Sequence, residues 1–412
     1  MARLPQVSHG MGHHERISSK LGHFRPSLTL ELKRIVQERL AAGLPVYDFG
    51  LGETKGDLAP RIGDAGAKAF HEGRTQYADP AGLPDVRQAV LAWLGLEGQY
   101  QVENVVITSG AKQALFNVML AVCNPGDAVL FDAAPWVSYL PQAAAASTRH
   151  VVVQPQAGDA NYLKITGDDL RRALKQEPGA RVFLLNSPVN PTGQVYSADE
   201  VEALLQVCVE QGVYFLLDRL YWRLMFDGNA YPEPRVDDDT KPWLIQVDGL
   251  SKNFRRTGGI RIGWSVAPTD VTKAMINLQS HYTSGPAVPT QHAALAGIAC
   301  PYSNELRDDL QHKRDLLLRE APKMRGVRVW PTAGAFYSFW DVRALIGKRM
   351  PDGGTIKGSD DLAAYLLKNA GVVTASGAAF EQDGYLRISF ATPDDHITGG
   401  VAAAAAAFGQ LV

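Results

Sequence analysis

The stretch "SKNFRRTGGIRIGW", residues 251–264, follows directly on the apolar run "WLIQVDGL", residues 243–250. An apolar run ending in Ser-Lys reads as a buried strand reaching the carboxyl edge of a sheet, where open α/β sheets place their ligand crevices. Lys252 then has two readings. It is a solvated loop lysine, or an amine that loses proton affinity when partly desolvated among cations and becomes a nucleophile able to form a Schiff base. Residues elsewhere decide between them.

Outward from this stretch, strand-like apolar runs alternate with amphipathic helical segments. The runs include "NVVITS" (104–109), "DAVLFD" (127–132), "RHVVVQ" (149–154), "RVFLLN" (181–186), "VYFLLD" (213–218) and "GWSVAP" (263–268). Between them lie helical stretches such as "AKQALFNVMLAVC" (111–123) and "ADEVEALLQVCVEQG" (198–212), the second preceded by a capping box from Ser197 to Glu200. This alternation predicts a mostly parallel sheet covered on both faces. The large domain is placed at residues 60–290. After "PTQHAALAGIAC" the character changes to long charged helices and short runs such as "AFYSFWDV" and "YLRISFAT", which predicts a smaller α+β domain over 291–412. Residues 26–59, with the helical "LTLELKRIVQERLAAG", are expected to join it, and residues 1–25 to form a flexible arm.

Composition narrows the function classes. A chain of 412 residues with 46% hydrophobic content and a formal net charge of -2 has no electrostatic footprint for nucleic acid or an anionic membrane, so a small molecule is the expected partner. Cys123, Cys208 and Cys300 have neither metal spacing nor an even-numbered disulfide framework. His9, His13, His14 and His23 crowd the N-terminus without a cysteine or carboxylate cluster to complete a site, and no metal is assigned. No long apolar span or secretory core is present, which makes the cytoplasm the expected location. Gly50 and Gly52 resemble part of a dinucleotide loop, but Gly56 is misplaced and no helical pattern follows, against a nicotinamide dehydrogenase. A transcriptional regulator would need a DNA-binding domain that the first 25 residues cannot hold.

Four segments end apolar runs in polar residues that can converge. "ITSGAKQAL" (107–115) is a strand, a small-residue turn and a helix start, so the amides of Gly110, Ala111 and Lys112 would face an anion. "LLNSPVNPTG" (184–193) holds Asn190 in a turn locked by two Xaa-Pro bonds. "FLLDRLY" (215–221) leaves Asp218 at a strand end, where a buried carboxylate needs a cation, a donor or solvent. Together with Lys252 and Arg261, these supply a carboxylate for a pyridine nitrogen, donors to a ring oxygen, a phosphate site and an amine for an aldehyde.

With "DFGLGETKGD" (48–57), "YADPAGLPDVRQAV" (77–90), "TSGAKQALFN" (108–117), "NSPVNPTG" (186–193), the Asp-Arg-Leu-Tyr of 218–221, "SKNF" (251–254), "GAFY" (334–337) and "RISFAT" (387–392), the chain resembles the fold type I pyridoxal-phosphate enzymes, and among them the aspartate-aminotransferase-like class I/II aminotransferases. The resemblance implies a large, mostly parallel αβα domain beside a smaller α+β domain built from both chain ends. It implies pyridoxal 5'-phosphate, with Lys252 as the Schiff-base lysine, Asp218 as partner of the pyridine nitrogen, Asn190 and Tyr221 as donors to the ring oxygen, and Trp136 stacked on the ring. Gly110, Ala111, Lys112, Ser251 and Arg261 match the phosphate site, with Tyr77 reaching in from a second subunit of a homodimer. Arg387 matches the arginine that grips the substrate α-carboxylate by a fork of two hydrogen bonds. Gly52 matches the substrate-side loop, and Asn190 faces substrate as well.

Two departures stand out. Arg261 comes one position later than the family spacing, so Arg255 or Arg256 is a candidate to share the phosphate. Arg219 replaces an acid beside Asp218, and a cation there is expected to alter substrate preference; Tyr77, Trp136, Tyr139 and Arg219 are candidates to line the side-chain pocket. Transamination between an amino acid and a 2-oxo acid is the expected reaction, with Lys252 as the general base. Elimination, replacement or cyclisation on the same fold is the alternative.

Overall fold

The computed structural model describes Ser18, residues 29–50 and residues 52–412. The expected arm, with His9, His13, His14 and His23, lies outside the described residues apart from Ser18.

Seven strands form the main sheet in the spatial order Val105–Thr108, Gly263–Val266, Leu244–Gly249, Tyr214–Asp218, Ala180–Asn186, Ala128–Phe131, Arg149–Val152. Gly263–Val266 runs antiparallel to both of its neighbours, while the remaining adjacent pairs are parallel. The interior strands are apolar and buried along almost their whole length, as strands covered on both faces must be. Val106, Leu184, Leu216 and Val247 pack on one side with Leu115 and Val118 of helix Ala111–Val122. Phe183, Phe215 and Leu217 pack on the other with Leu204 and Leu205 of helix Ala198–Gln211. That second helix opens on the expected capping box: Glu200 N donates to Ser197 Oγ at 3.2 Å and Ser197 N to a Glu200 carboxylate oxygen at 2.7 Å.

A second core gathers around an antiparallel sheet in the order Ala375–Ser376, Tyr385–Ser389, Tyr337–Asp341, Arg328–Val329. Trp340, Leu386 and Ile388 of this sheet pack with Leu310, Leu366 and Phe408, which come from helices Glu305–Glu320, Ser359–Ala370 and Asp394–Phe408. The N-terminal part of the chain joins it: Tyr47–Asp48 pairs in parallel with Val372–Val373, and Phe49 enters the same core. Arg39, in helix Thr29–Ala41, donates to Lys368 O at 2.9 Å. Helix Val288–Ile298 crosses the 290/291 division and packs through Ala293, Ala294 and Ile298 with Ile62 under the main sheet.

The register explains where chemistry collects. Asn186 lies opposite Asp218, and Gly263 lies opposite both Thr108 and Gly249, so the polar ends of these strands share one edge. Among the described residues, no helix is long and apolar enough to cross a membrane and no group of His, Cys, Asp and Glu is arranged to hold a metal ion.

Candidate active site

A cleft of about 440 Å³ opens at this edge, between the main sheet and the smaller one. Its lining includes Gly52, Ala111, Lys112, Trp136, Asn190, Asp218, Tyr221, Ser251, Lys252, Arg261 and Arg387, so the structure brings these expected residues together.

At one end stands an anion cradle. Gly110 turns the chain at φ +88° into helix Ala111–Val122, whose first turn carries no side-chain cap, leaving the N–H groups of Ala111 and Lys112 at the cleft end of the helix; the Gly110 N–H, expected to join them, instead donates back to Thr108 O at 2.8 Å. Gly263 is required opposite: a Cβ there would lie 2.2 Å from Ala111 N. Arg261, itself left-handed at φ +60°, lays its guanidinium on Gly110, where a Cβ would meet Nη2 at 2.4 Å. Its Nη1 donates to Gly258 O at 2.7 Å and its Nη2 to Ser109 O at 3.4 Å. The late arginine therefore reaches the cradle. Arg255 is engaged elsewhere, with Lys55 O at 2.7 Å and the Asp309 carboxylate at 2.8 Å, and neither it nor Arg256 lines the cleft.

In the floor, Asp218 is buried. Tyr139 Oη donates to its Oδ2 at 2.7 Å and Leu220 N to its Oδ1 at 3.2 Å. Burial pushes the carboxyl up to about 6, against the lowering effect of Tyr139, Leu220 and the charge of Lys252. Trp136 stands beside Tyr139 in an edge-on arrangement, with Lys112 Nζ 4.8 Å from its ring centre. Tyr139 was expected only as a pocket wall. Its position three residues after Trp136 was the available signal for a role in the floor of the cleft.

Lys252 donates through Nζ to Gly52 O and lies 5.7 Å from the Phe336 ring centre. Burial lowers its pKa to about 8; Glu53 opposes this, while Arg387, Arg261 and Lys112 reinforce it. A much larger share of neutral amine is thus present near neutrality than for an ordinary lysine. Across the cleft, Arg387 Nη1 donates to Asn190 Oδ1 at 3.3 Å and Nη2 to Gly50 O at 3.0 Å. Its Nε is buried without a partner, and no carboxylate pairs with it among the described residues. Asn190 is fixed by its own N–H to Asn186 Oδ1 at 2.7 Å, and Tyr221 Oη lies 3.2 Å from Tyr337 Oη. Tyr337, brought in by the smaller sheet from "GAFY", had no assigned role.

Residues 45–403 match the family model for class I and II aminotransferases. The chain belongs to that family. It is 31% identical over 392 residues to a probable aspartate/prephenate aminotransferase of Aquifex aeolicus, covering 93% of this chain and 96% of that one. It is 33% identical over 385 residues to the aspartate/prephenate aminotransferase of Cereibacter sphaeroides, covering 92% and 95%. The crystal structure of the Rhizobium meliloti aspartate aminotransferase superposes with a TM-score of 0.90 at 30% identity, covering 96% of this chain and all of that one. The fold is therefore fold type I, and the enzyme is an aminotransferase acting on amino acids and 2-oxo acids.

Two expected contributors to this aminotransferase's site lie outside the cleft. Tyr77 is 96% exposed and does not line it. Arg219 is fully buried and turns away from it: Nη1 donates to Gln246 Oε1 at 2.6 Å, Nη2 to Glu233 Oε1 at 2.6 Å, and its guanidinium stacks on Trp222 and Tyr231. Alternation along the chain after Asp218 sends this side chain behind the sheet, so it does not face the substrate pocket.

Asp132 is a buried group that sequence reading passed over. It follows strand Ala128–Phe131, its Oδ1 has no partner, and burial with the field of Asp218 pushes its carboxyl up to about 8. From an ordinary value near about 4, the folded chain keeps a proton that the unfolded chain has lost, so stability falls as pH rises toward the folded value. Asp132→Asn removes that titration. Its melting temperature should exceed the wild type's by a margin that widens, to several degrees, from about pH 5 to about pH 8 and then levels off. Thermal melts across that range check this; a margin independent of pH would contradict it.

Proposed function

We propose that the cleft holds pyridoxal 5'-phosphate and that Lys252 is the residue bonded to it. The reading rests on one observation: a lysine of lowered pKa shares a cleft with a buried carboxylate, an anion cradle and an arginine that no acid pairs among the described residues. The residues fit the group. A Cβ at Gly110 or Gly263 would fill the cradle, which suits a close-packed phosphate, and Asp218 is buried and hydrogen-bonded on the protein side, as a partner of a ring nitrogen must be. When bound, pyridoxal phosphate supplies an aldehyde for the substrate amine and a cationic ring that draws electrons from the α-carbon.

The chain's own residues do the rest. The amides of Ala111 and Lys112, with Ser251 and Arg261, hold the phosphate. Tyr139 holds the Asp218 carboxylate in orientation and favours its ionised form. Asn190 and Tyr221 offer donors at the ring oxygen, and Trp136 covers one face. Arg387 fixes the α-carboxylate through its fork, beside Gly52 and Asn190. The Lys252 amine takes the α-proton and returns it one position along as general base and then acid. The large domain carries the cofactor, the smaller domain contributes Arg387 and Tyr337, and the exposed Tyr77 meets the phosphate of a two-fold partner, a dimer that sedimentation of the active enzyme can exclude.

For the substrate, the side chain of Lys112 is left over. Arg387 serves the α-carboxylate, Arg261 the phosphate and Lys252 the reacting carbon, so the fourth cation of the cleft is available to a second acid group. This supports a dicarboxylic amino acid such as aspartate, the substrate class named for the relatives. Lys112→Met should lower kcat/KM for aspartate by about 10²-fold and for apolar amino acids by no more than about threefold. Arg387→Ala should lower it for every donor alike. Equal losses for aspartate and alanine in Lys112→Met would remove the dicarboxylate assignment while leaving the aminotransferase reading intact.

A further inference from the structure

A second cleft, of about 600 Å³, opens away from the catalytic one, between helix Pro84–Leu94 and the segment 298–304. Trp93, Arg223, Cys300 and Tyr302 line it together with the apolar Ala92, Ile298 and Pro301. Arg223 is the unusual member. Its guanidinium carbon lies 4.0 Å from the ring centre of Trp222, 4.4 Å from that of Trp93 and 4.9 Å from that of Tyr302. Against this aromatic surround it makes one marginal hydrogen bond, from Nη2 to Trp93 O at 3.5 Å, and its Nε is buried without a partner.

The fold gives the neighbouring Arg219 an acid but, among the described residues, gives Arg223 none. Arg219, beside Trp222 in the same aromatic cluster, has Glu233 at 2.6 Å. Asp248 is committed to the rings themselves: its Oδ2 accepts from Trp93 Nε1 at 3.3 Å and Trp222 Nε1 at 3.0 Å, and its Oδ1 from Asn253 Nδ2 at 3.1 Å. Among the described residues no carboxylate forms an ion pair with Arg223. Burial holds its guanidinium below the ordinary value, against the opposing fields of Tyr302, Asp248 and Glu233. A half-buried arginine is ordinarily matched by a carboxylate or phosphate that its planar fork can take in two parallel hydrogen bonds. The apolar walls beside it suit a compact hydrophobic body, which disfavours a bare inorganic anion.

We infer that this second cleft is a binding site for a small carboxylate with an apolar or aromatic body, its carboxylate paired with Arg223 and its body lying against Trp93, Ile298 and Pro301. The site is separate from Lys252 and Arg387 and takes no part in amino transfer.

Cys300 reports on occupancy, because it belongs to the same lining and is partly exposed, whereas Cys208 is buried and burial, with the field of Asp127, raises the Cys123 thiol to about 12. The cofactor-loaded enzyme is treated with iodoacetamide, and alkylation of Cys300 is followed by peptide mass mapping. Phenylacetate at roughly 10 mM should slow it about fivefold or more, a concentration suited to a millimolar site, while neutral phenylacetamide should not. Arg223→Met should raise the phenylacetate concentration needed for half-maximal protection by at least about tenfold with turnover held within about twofold. Should that variant fold poorly, Ala92→Phe, at the exposed rim, fills the space of the ligand body, and Cys300 alkylation should then no longer respond to phenylacetate.

Four results would overturn the inference. Equal protection by phenylacetamide would leave an apolar groove without anion recognition. Protection unchanged in Arg223→Met, or none at all, would remove Arg223 as the anchor. Protection lost in Arg387→Ala would place the probe in the catalytic cleft. Cys300 that becomes reactive and phenylacetate-sensitive only after deletion of residues 1–28 would show that the chain's own N-terminus fills the cleft.

Discussion

Replacing Lys252 with alanine is expected to lower turnover by at least about a thousandfold and to abolish the visible absorbance of the lysine-bound cofactor. The size of the effect follows from two duties resting on one amine. In the proposed mechanism it is both the covalent partner of the cofactor and the base, and its lowered pKa of about 8 suits it to exchanging the α-proton near neutrality. Lys112 is a second amine in the same cleft, but it stands over Trp136, where it has no access to both duties. Borohydride treatment of the native enzyme should therefore fix the cofactor to the peptide carrying Lys252. Recovery of the label on the Lys112 peptide would exchange their roles.

The second large effect belongs to Asp218. Asp218→Asn keeps the shape and removes the charge, so turnover should drop by about a thousandfold while the protein still retains cofactor through its phosphate cradle. The pH dependence has a definite sign. Burial raises the Asp218 carboxyl to about 6, so in the cofactor-free protein it becomes protonated as pH falls through that value. A cation placed against it favours the ionised form and moves the titration lower. Cofactor binding should thus release more protons at about pH 6 in the wild type than in Asp218→Asn, which keeps only the release from the cofactor's own groups, and isothermal titration in two buffers of different ionisation enthalpy can read the difference. Near-normal turnover in the variant would refute the role.

Much of this site was legible because it lies where apolar runs stop. Asp218, Asn190 and Lys252 each follow a buried strand, and a polar residue at that point needs a reason that a loop residue does not. Gly110 was readable as part of a small-residue turn, and Ser197 with Glu200 as a helix start, since these are local rules, whereas the close approach of Gly263 to Ala111 was not. Contacts made between distant elements were not readable. The bond from Tyr139 to Asp218 depends on the register between the start of helix Tyr139–Ala145 and a strand far along the chain. Tyr337 meets Tyr221 only because the smaller sheet closes over the larger one.

Side-chain direction was the other gap. Arg219 adjoins Asp218 in sequence, yet it points behind the sheet to Glu233 and Gln246, and its charge is spent there. Arg255, a candidate to share the phosphate because Arg261 comes one position late, is paired with Asp309. The antiparallel placement of Gly263–Val266 was likewise hidden, because an apolar run carries no mark of its direction.

The most direct test is a single half-reaction. Cofactor-loaded enzyme is mixed with aspartate and no amino acceptor, and the released 2-oxo acid is counted against active sites. The account predicts one 2-oxo acid per site, with the amino group left on the cofactor, loss of the visible band, and its return on adding a 2-oxo acid. Continuous release of ammonia or of a side-chain leaving group, with the visible band preserved and no amino group retained, would contradict it.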